Sequence, residues 1–283
     1  AASTADPVLL VGAGPSHRQL LRQLARRPEP GRRILLLHPA THGTDPAHLA
    51  AFVAGPGHPP FAAVELRPLV DAAGVTWQPD RVRALETEAR RLLLDDGEAL
   101  PYAQLSIDLG PVQERAALEQ QLPGAREHGL FLRPLEAFAQ LWERMHELAQ
   151  RQPMCVVVVG HGVDAVEMAL ALQHRLGDRS RVSLVSGGGA VLPGHPETAR
   201  RRVLEMLKRR QVTLLEDACA EIGATHLTLT SGTRVACDAA VMALPVGVPA
   251  WLREAGLVPD GQGLVATGAT LQSATQPEVF AAG

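Results

Sequence analysis

A chain of 283 residues, 46% of them hydrophobic, is long enough to bury two separate cores. Its formal net charge of −3 offers no overall attraction to nucleic acid or to an anionic membrane. No apolar run reaches the length of a membrane span, and the start Ala1-Ala2-Ser3-Thr4 lacks the charged and apolar parts of a signal peptide, so a cytoplasmic protein is the default.

The first predicted element is the strand Val8–Val11, followed at once by Gly12-Ala13-Gly14-Pro15-Ser16-His17 and a helix near Ser16–Arg26. In this strand, glycine turn and helix, the first two glycines let the backbone bend and approach a pyrophosphate. The phosphate charge then meets the N–H groups and positive end of the helix. Arg33–Leu37 is the next strand, and it ends Leu37-His38-Pro39 without an acid to bind ribose hydroxyls; His38 or Thr41 would have to substitute. The stretch from His38 to Pro60, rich in Pro, Gly and His, is expected to wrap over the nucleotide site as irregular loop with one short helix near Ala47–Val53. Its histidines, His38, His42, His48 and His58, have the spacing neither of a helix face nor of a paired-ligand hairpin, so no metal site is predicted.

A short helix over Leu66–Ala73 and a strand at Val75–Gln78 come next, then three short runs, Arg81–Glu86, Arg91–Leu94 and Gln104–Leu109, that read as a β-meander with Asp95-Asp96-Gly97 as a hairpin turn. Leu135, Phe138, Leu141, Trp142, Met145 and Leu148 recur at helical spacing and predict a core-facing helix over Leu135–Arg151. It leads into a second copy of the opening pattern: the apolar strand Cys155–Val159, the turn Gly160-His161-Gly162-Val163-Asp164-Ala165 and a helix near Asp164–Arg175. Strands at Arg181–Ser186 and Val212–Leu215 flank a helix near Glu197–Arg210, and β-like pieces run through Thr225–Thr230 and Arg234–Leu244. The arginines of that helix, Arg200 to Arg202 and Arg209 to Arg210, alternate with apolar residues and Glu205 as on a solvated face, not a nucleic-acid patch. Gly263–Thr267 and Val279–Gly283 return to the style of the first unit. Cys155, Cys219 and Cys237 are too far apart in sequence to form a Cys-x-x-Cys pair, which argues against disulfide reductase chemistry.

The expected fold is α/β: two Rossmann-like doubly wound domains, the second inserted into a discontinuous first domain that carries the β-meander. The boundaries are set at 1–133 and 249–283 for the two parts of the first domain and 134–248 for the inserted one.

Several motifs together resemble the pyridine nucleotide-disulfide oxidoreductase superfamily, in the branch of two-dinucleotide-domain flavoproteins that lacks the redox disulfide and includes type II NADH dehydrogenases. They are Val11-Gly12-Ala13-Gly14-Pro15-Ser16-His17, Leu66-Arg67-Pro68-Leu69, the stretch Leu100–Gly110, the stretch Val159–Ala169, Leu192-Pro193-Gly194-His195 and Val279–Gly283. Within that branch the chain is most similar to the NADH dehydrogenase-like module that occurs alone or fused to selenide, water dikinase.

The resemblance implies FAD at the first turn, held by Gly12, Gly14, Pro15, His17, His38, Gly110 and Gly283, and NAD(P)H at the second, held by Gly160, Gly162, Val163, Asp164, Ala165 and Ser186. Glu167 resembles the carboxylate these enzymes keep near the flavin–nicotinamide junction; an ordinary acid in the first turns of a helix, favoured by the dipole, is the equal alternative. The implied reaction passes a hydride from NAD(P)H to FAD and electrons on to a quinone or other small acceptor. The same resemblance admits a homodimer, a peripheral position at the inner face of a membrane, and a fused or neighbouring selenide, water dikinase.

The sequence departs from the family pattern in several places. His17 replaces the third glycine; Ser186, followed by Gly187-Gly188-Gly189, gives neither an acid for NAD nor an arginine for NADP and leaves both open. Thr41–Leu49 stands where relatives put an aromatic- and methionine-containing loop against the isoalloxazine. The chain begins without methionine and stops at Gly283, one residue before the family's flavin-contacting aspartate, so a fragment cut at both ends, purifying largely free of flavin, is expected. The alternative function is a degenerate nucleotide-binding module with a regulatory or structural role beside another enzyme. A single-nucleotide monooxygenase is disfavoured because it would leave the second turn without a purpose.

Overall fold

A computed structural model describes residues 6–43, 48–55, 64–110, 112–113, 115–244, 247–261 and 263–282. The chain divides into two compact units: the described residues of 6–43, 64–112 and 247–282 form the first, and those of 48–55 and 113–244 form the second.

In the first unit five strands lie parallel in the order Val279–Ala281, Gln104–Ile107, Val8–Val11, Ile34–Leu37 and Thr76–Gln78. Alternate residues of a strand face opposite sides, and here both sides are covered. Leu10 and Leu36 join Leu21, Leu24, Leu66 and Val70 under the helices Pro15–Arg26 and Leu66–Ala73. Leu9, Val11, Leu35 and Leu37 pack on the other face with Leu85, Leu92 and Leu94 of a three-stranded antiparallel meander, Val82–Glu86, Arg91–Leu94 and Ala99–Pro101. Burial on both faces is why the central strands read as unbroken apolar runs.

The second unit repeats the plan. Its parallel sheet runs Gly129–Phe131, Ala239–Met242, Cys155–Val159, Arg181–Val185 and Thr213–Leu215. Val156 and Val158 enter a core with the helices Leu135–Arg151 and Val163–Leu176, while Val157 and Val159 face the meander Cys219–Ile222, His226–Leu229 and Arg234–Ala236.

Two expectations are corrected. The run Gln104–Leu109 is not the third strand of the first meander; that strand is Ala99–Pro101, and Gln104–Ile107 crosses into the parallel sheet beside Val8–Val11. The run Arg234–Leu244 breaks in the same way, into Arg234–Ala236 in the meander and Ala239–Met242 in the parallel sheet. Both changes of layer take two residues, Tyr102-Ala103 and Cys237-Asp238, and are locked by the bonds Ala103 N–H to Pro7 O (2.9 Å) and Asp238 N–H to Cys155 O (2.8 Å).

The unit boundaries also differ from 133/134. Gly129–Phe131 pairs with Ala239–Met242 of the second sheet, so 113–133 packs there. The helix Leu49–Ala54 buries Leu49 and Val53 in the core that holds Val166 and Leu172 of the helix Val163–Leu176, and so 48–55 joins the second unit as well. No helix among the described residues is long and apolar enough to cross a membrane.

Candidate functional site

The two glycine turns occupy the same place in their units and share three backbone hydrogen bonds, while among the described residues Gly14 N–H alone also donates to the carbonyl opposite it, Asp108 O (3.2 Å). Gly12 N–H donates to Leu37 O and Gly160 N–H to Val185 O, each 2.9 Å, tying the turn to the next strand. Asp108 N–H donates to Val11 O (2.9 Å) and Ala243 N–H to Val159 O (3.0 Å), tying it to the strand on the other side. Arg18 N–H to Gly14 O (3.0 Å) and Val166 N–H to Gly162 O (3.2 Å) open the two helices. These pairs make Gly12 equivalent to Gly160, Gly14 to Gly162, His17 to Ala165 and Asp108 to Ala243.

The first glycine of each turn is required by the backbone. Gly12 has φ +93° and Gly160 φ +151°, and a Cβ at either would fall on the carbonyl oxygen of Asp108 or Ala243. The second glycines differ sharply. A Cβ built at Gly162 meets nothing within 4 Å, so its α-carbon faces open space at the helix N-terminus. A Cβ at Gly14 would fall on the carboxylate of Asp108.

That carboxylate is buried, with Asp108 only 1% exposed, and accepts the N–H of His17 at 2.7 Å. Pro15, at the first helical position, has no N–H to offer, so His17 supplies one of the few donors this helix end has. Gly43 closes the turn further: a Cβ there would lie 2.9 Å from Ala13 O and 3.0 Å from the Arg18 guanidinium.

His17 solves the problem of a large residue in place of the third glycine by turning its ring toward the small Ser106 on the adjacent strand. Nδ1–H donates to Gly12 O at 2.7 Å, and Nε2 lies 2.8 Å from Ser106 Oγ. Burial pushes the imidazole pKa below its ordinary value, against the opposing pull of the Gly12 carbonyl and the Asp108 charge. The neutral ring then uses Nδ1 as donor and accepts the Ser106 hydroxyl proton at Nε2.

The other residues expected around the first turn are more scattered. His38 turns its ring back along its own chain, with Nε2–H 3.3 Å from His42 O, and its carbonyl accepts Trp77 Nε1–H at 2.9 Å. Thr41 is exposed, and its hydroxyl pairs with His42 Nδ1 at 2.8 Å. Gly110 is exposed at the rim of a cavity of about 260 Å³ lined also by Leu109, Pro249, Leu252, Val265 and Ala282. Gly283 lies outside the described residues, as do 44–47 within the altered flavin loop.

Around the second turn, Val163 and Asp164 are exposed at the helix start and Ala165 is fully buried. Among the described residues no side chain takes the Ala165 N–H, in contrast to His17. Ser186 stands at the strand end next to the turn, yet it is 1% exposed and its hydroxyl donates to Gly189 O at 2.7 Å, so it holds the Gly187–Gly189 loop instead of presenting a free hydroxyl. The loop is also tied by Gly187 N–H to Asp217 O (3.0 Å), and the Asp217 carboxyl is held down at about 2 by the Ser231 and Thr230 groups bonded to it. Glu167 is exposed on the next helical turn, lining a small cleft with Leu49, Ala50, Leu132, Arg133 and Asp164.

Sequence reasoning missed Asp108. The available signal was an acid at the end of the apolar strand Leu105-Ser106-Ile107, where the matching position of the second unit is Ala243.

Two parallel sheets, each feeding a helix through a glycine turn, define a protein of two dinucleotide-binding folds. The family model described as pyridine nucleotide-disulphide oxidoreductase matches residues 6–283, and the chain belongs to that family. The family's cofactors are FAD and NAD(P)H.

Demethylphylloquinone reductase NdbB of Synechocystis sp. is 28% identical over 235 residues, covering 80% of this chain and 56% of that protein, so the chain spans little more than half of that relative. Among solved structures, the sulfide:quinone oxidoreductase of Aquifex aeolicus shares the fold with a TM-score of 0.78 at 18% identity, covering 99% of this chain and 68% of that one. NDH2 from Plasmodium falciparum in complex with NADH does so at 0.79 and 12% identity, covering 98% and 64%.

The two turns differ in their fit to these cofactors. The second offers a bare α-carbon, open space and an unclaimed N–H, which fit a pyrophosphate. The first, as arranged, does not: the place next to Gly14 is filled by the Asp108 carboxylate.

Proposed function

We propose that the chain is the two-nucleotide part of an FAD-dependent NAD(P)H oxidoreductase, with NAD(P)H held at the second turn and electrons passed to a quinone-type acceptor. The observation that carries this reading is the open face of Gly162 at the start of the helix Val163–Leu176. There Gly160, Gly162, Val163, Asp164 and Ala165 are the residues against which the pyrophosphate rests, with backbone N–H groups as donors and the helix dipole favouring its charge. Ser186 contributes through the shape of the Gly187–Gly189 loop it holds. Glu167, on the same helix one turn further on, is the candidate for contact with the reactive end of the nucleotide. The quinone class of acceptor follows the demethylphylloquinone reductase of Synechocystis sp. and the sulfide:quinone oxidoreductase of Aquifex aeolicus. FAD at the first turn rests on family membership.

The test is calorimetric titration with NADH and with NADPH. Gly162 has φ −79° and ψ −176°, an extended conformation that valine adopts readily, so Gly162→Val should fold normally. Its side chain would stand where the pyrophosphate approaches and should weaken binding about tenfold or more, roughly 1.4 kcal/mol. Unchanged affinity in the folded variant removes the assignment.

A second reading, a degenerate module that has lost its flavin, draws support from Asp108 and Gly43 at the first turn. The visible absorption spectrum of the purified full-length protein separates the two: a bound flavin absorbs near the blue end of the spectrum, and a degenerate module is colourless.

A further inference from the structure

We propose that Asp108 is a resident anion of the first glycine turn, a side chain that occupies the pyrophosphate place and that a bound dinucleotide must displace. The inference rests on the reading that this turn is the FAD site. Three observations meet there. The carboxylate lies against the bare α-carbon of Gly14, the point where a dinucleotide needs the closest approach. It already accepts the His17 N–H, at 2.7 Å, from the helix end that would otherwise donate to a phosphate. And the chain supplies its own comparison: at the equivalent position of the second unit stands Ala243, with open space beside Gly162 and no side chain on Ala165 N–H among the described residues.

Two acceptors cannot share one N–H and one space. Entry of a pyrophosphate therefore requires the Asp108 side chain to rotate out of a buried, hydrogen-bonded position, at a cost comparable to losing a helix cap. The device lowers affinity for FAD at this turn while keeping the turn and helix Pro15–Arg26 ordered without it. Asp108 is a positioning residue, because it sets whether the helix end is free to bind.

The experiment is titration of FAD, followed by quenching of flavin fluorescence, into the full-length parent protein and its Asp108→Ala and Asp108→Ser variants. Alanine is the residue with which the second unit folds at this position, and serine keeps a short acceptor for His17 N–H should the alanine variant be too unstable. Asp108→Ala should bind FAD about tenfold more tightly than the parent, the amount returned when about 1.4 kcal/mol of cap no longer has to be broken, and Asp108→Ser should gain less, because its hydroxyl still caps His17 N–H while the charge and bulk are gone. NADH affinity at the second turn should not change.

If the parent already binds FAD and NADH reduces it, while the folded variants bind no more tightly, the proposal is overturned and the flavoprotein reading stands. Weaker binding in the variants also overturns it, since Asp108 would then help to hold the flavin. If none of the three forms binds FAD, the flavoprotein reading falls with it. Tighter binding in the variants supports both.

Discussion

His17 sits at the third-glycine position of a fingerprint that elsewhere demands no side chain, and its accommodation depends on staying neutral. Burial lowers its pKa, so the unfolded chain takes up a proton near pH 6.5 while the folded one resists. The sign follows. Above that pH the group adds no pH dependence; as pH falls through 6.5 the unfolded state binds the extra proton, and stability declines until the folded-state pKa is reached. The slope from one proton cannot exceed about 1.4 kcal/mol per pH unit. The thermal midpoint should therefore fall between pH 7.5 and 5.5 more steeply in the parent than in His17→Ala, whose new residue is the one the second unit carries at 165. Parallel curves for the two proteins would show that protonation of this ring is not linked to folding. His17 was legible as an anomaly because the glycine fingerprint is a local pattern. Asp108 was not, because it lies 91 residues from the N–H it satisfies, and only the parallel pairing of Val8–Val11 with Gln104–Ile107 brings them together.

At the scale of elements, local chemistry and long-range pairing were legible to different degrees. The strands before both glycine turns and the helices after them read correctly because each is set by apolar period, glycine and helix start within a few residues. Asp95-Asp96-Gly97 likewise forms the turn it announces, with Gly97 at φ +92° and the Asp96 carboxylate accepting Glu98 N–H at 2.9 Å. The partition of Gln104–Ile107 and Ala239–Met242 into the parallel sheets was hidden, since a strand's letters do not say which neighbour takes its hydrogen bonds.

The helix Leu49–Ala54 is a similar case. Six residues are too few to be stable alone, so it persists because Leu49 and Val53 sink into the core around the helix Val163–Leu176. Val53 has no exposed surface. Val53→Ala should accordingly destabilise the second unit by about 1–3 kcal/mol, read from urea denaturation with Trp142 fluorescence in a background where Trp77 and Trp251 are replaced by phenylalanine. A change below about 0.5 kcal/mol would mean that the helix is not docked as described.

The described residues use one plan twice, with a parallel five-stranded sheet, an antiparallel three-stranded meander and a glycine turn in each unit. Duplication of a binding fold leaves open which copy takes which nucleotide, and the proposed assignment rests on a difference in side chains: the second turn is bare where the first carries His17 and Asp108. A ligand that binds only the native state raises the free energy of opening where it binds, by about 2.7 kcal/mol at a hundred times its dissociation constant. Hydrogen exchange followed by mass spectrometry, with and without saturating NADH, reads that effect segment by segment. Slower exchange is expected in the strand Cys155–Val159 and the helix Val163–Leu176, which flank the open turn, and in the strand Arg181–Val185, whose Val185 O takes the Gly160 N–H. The strand Val8–Val11 and the helix Pro15–Arg26 should change less, because Asp108 already holds their turn. Protection centred on the first turn instead would reverse the assignment of NADH and, with it, the meaning given to the open face of Gly162.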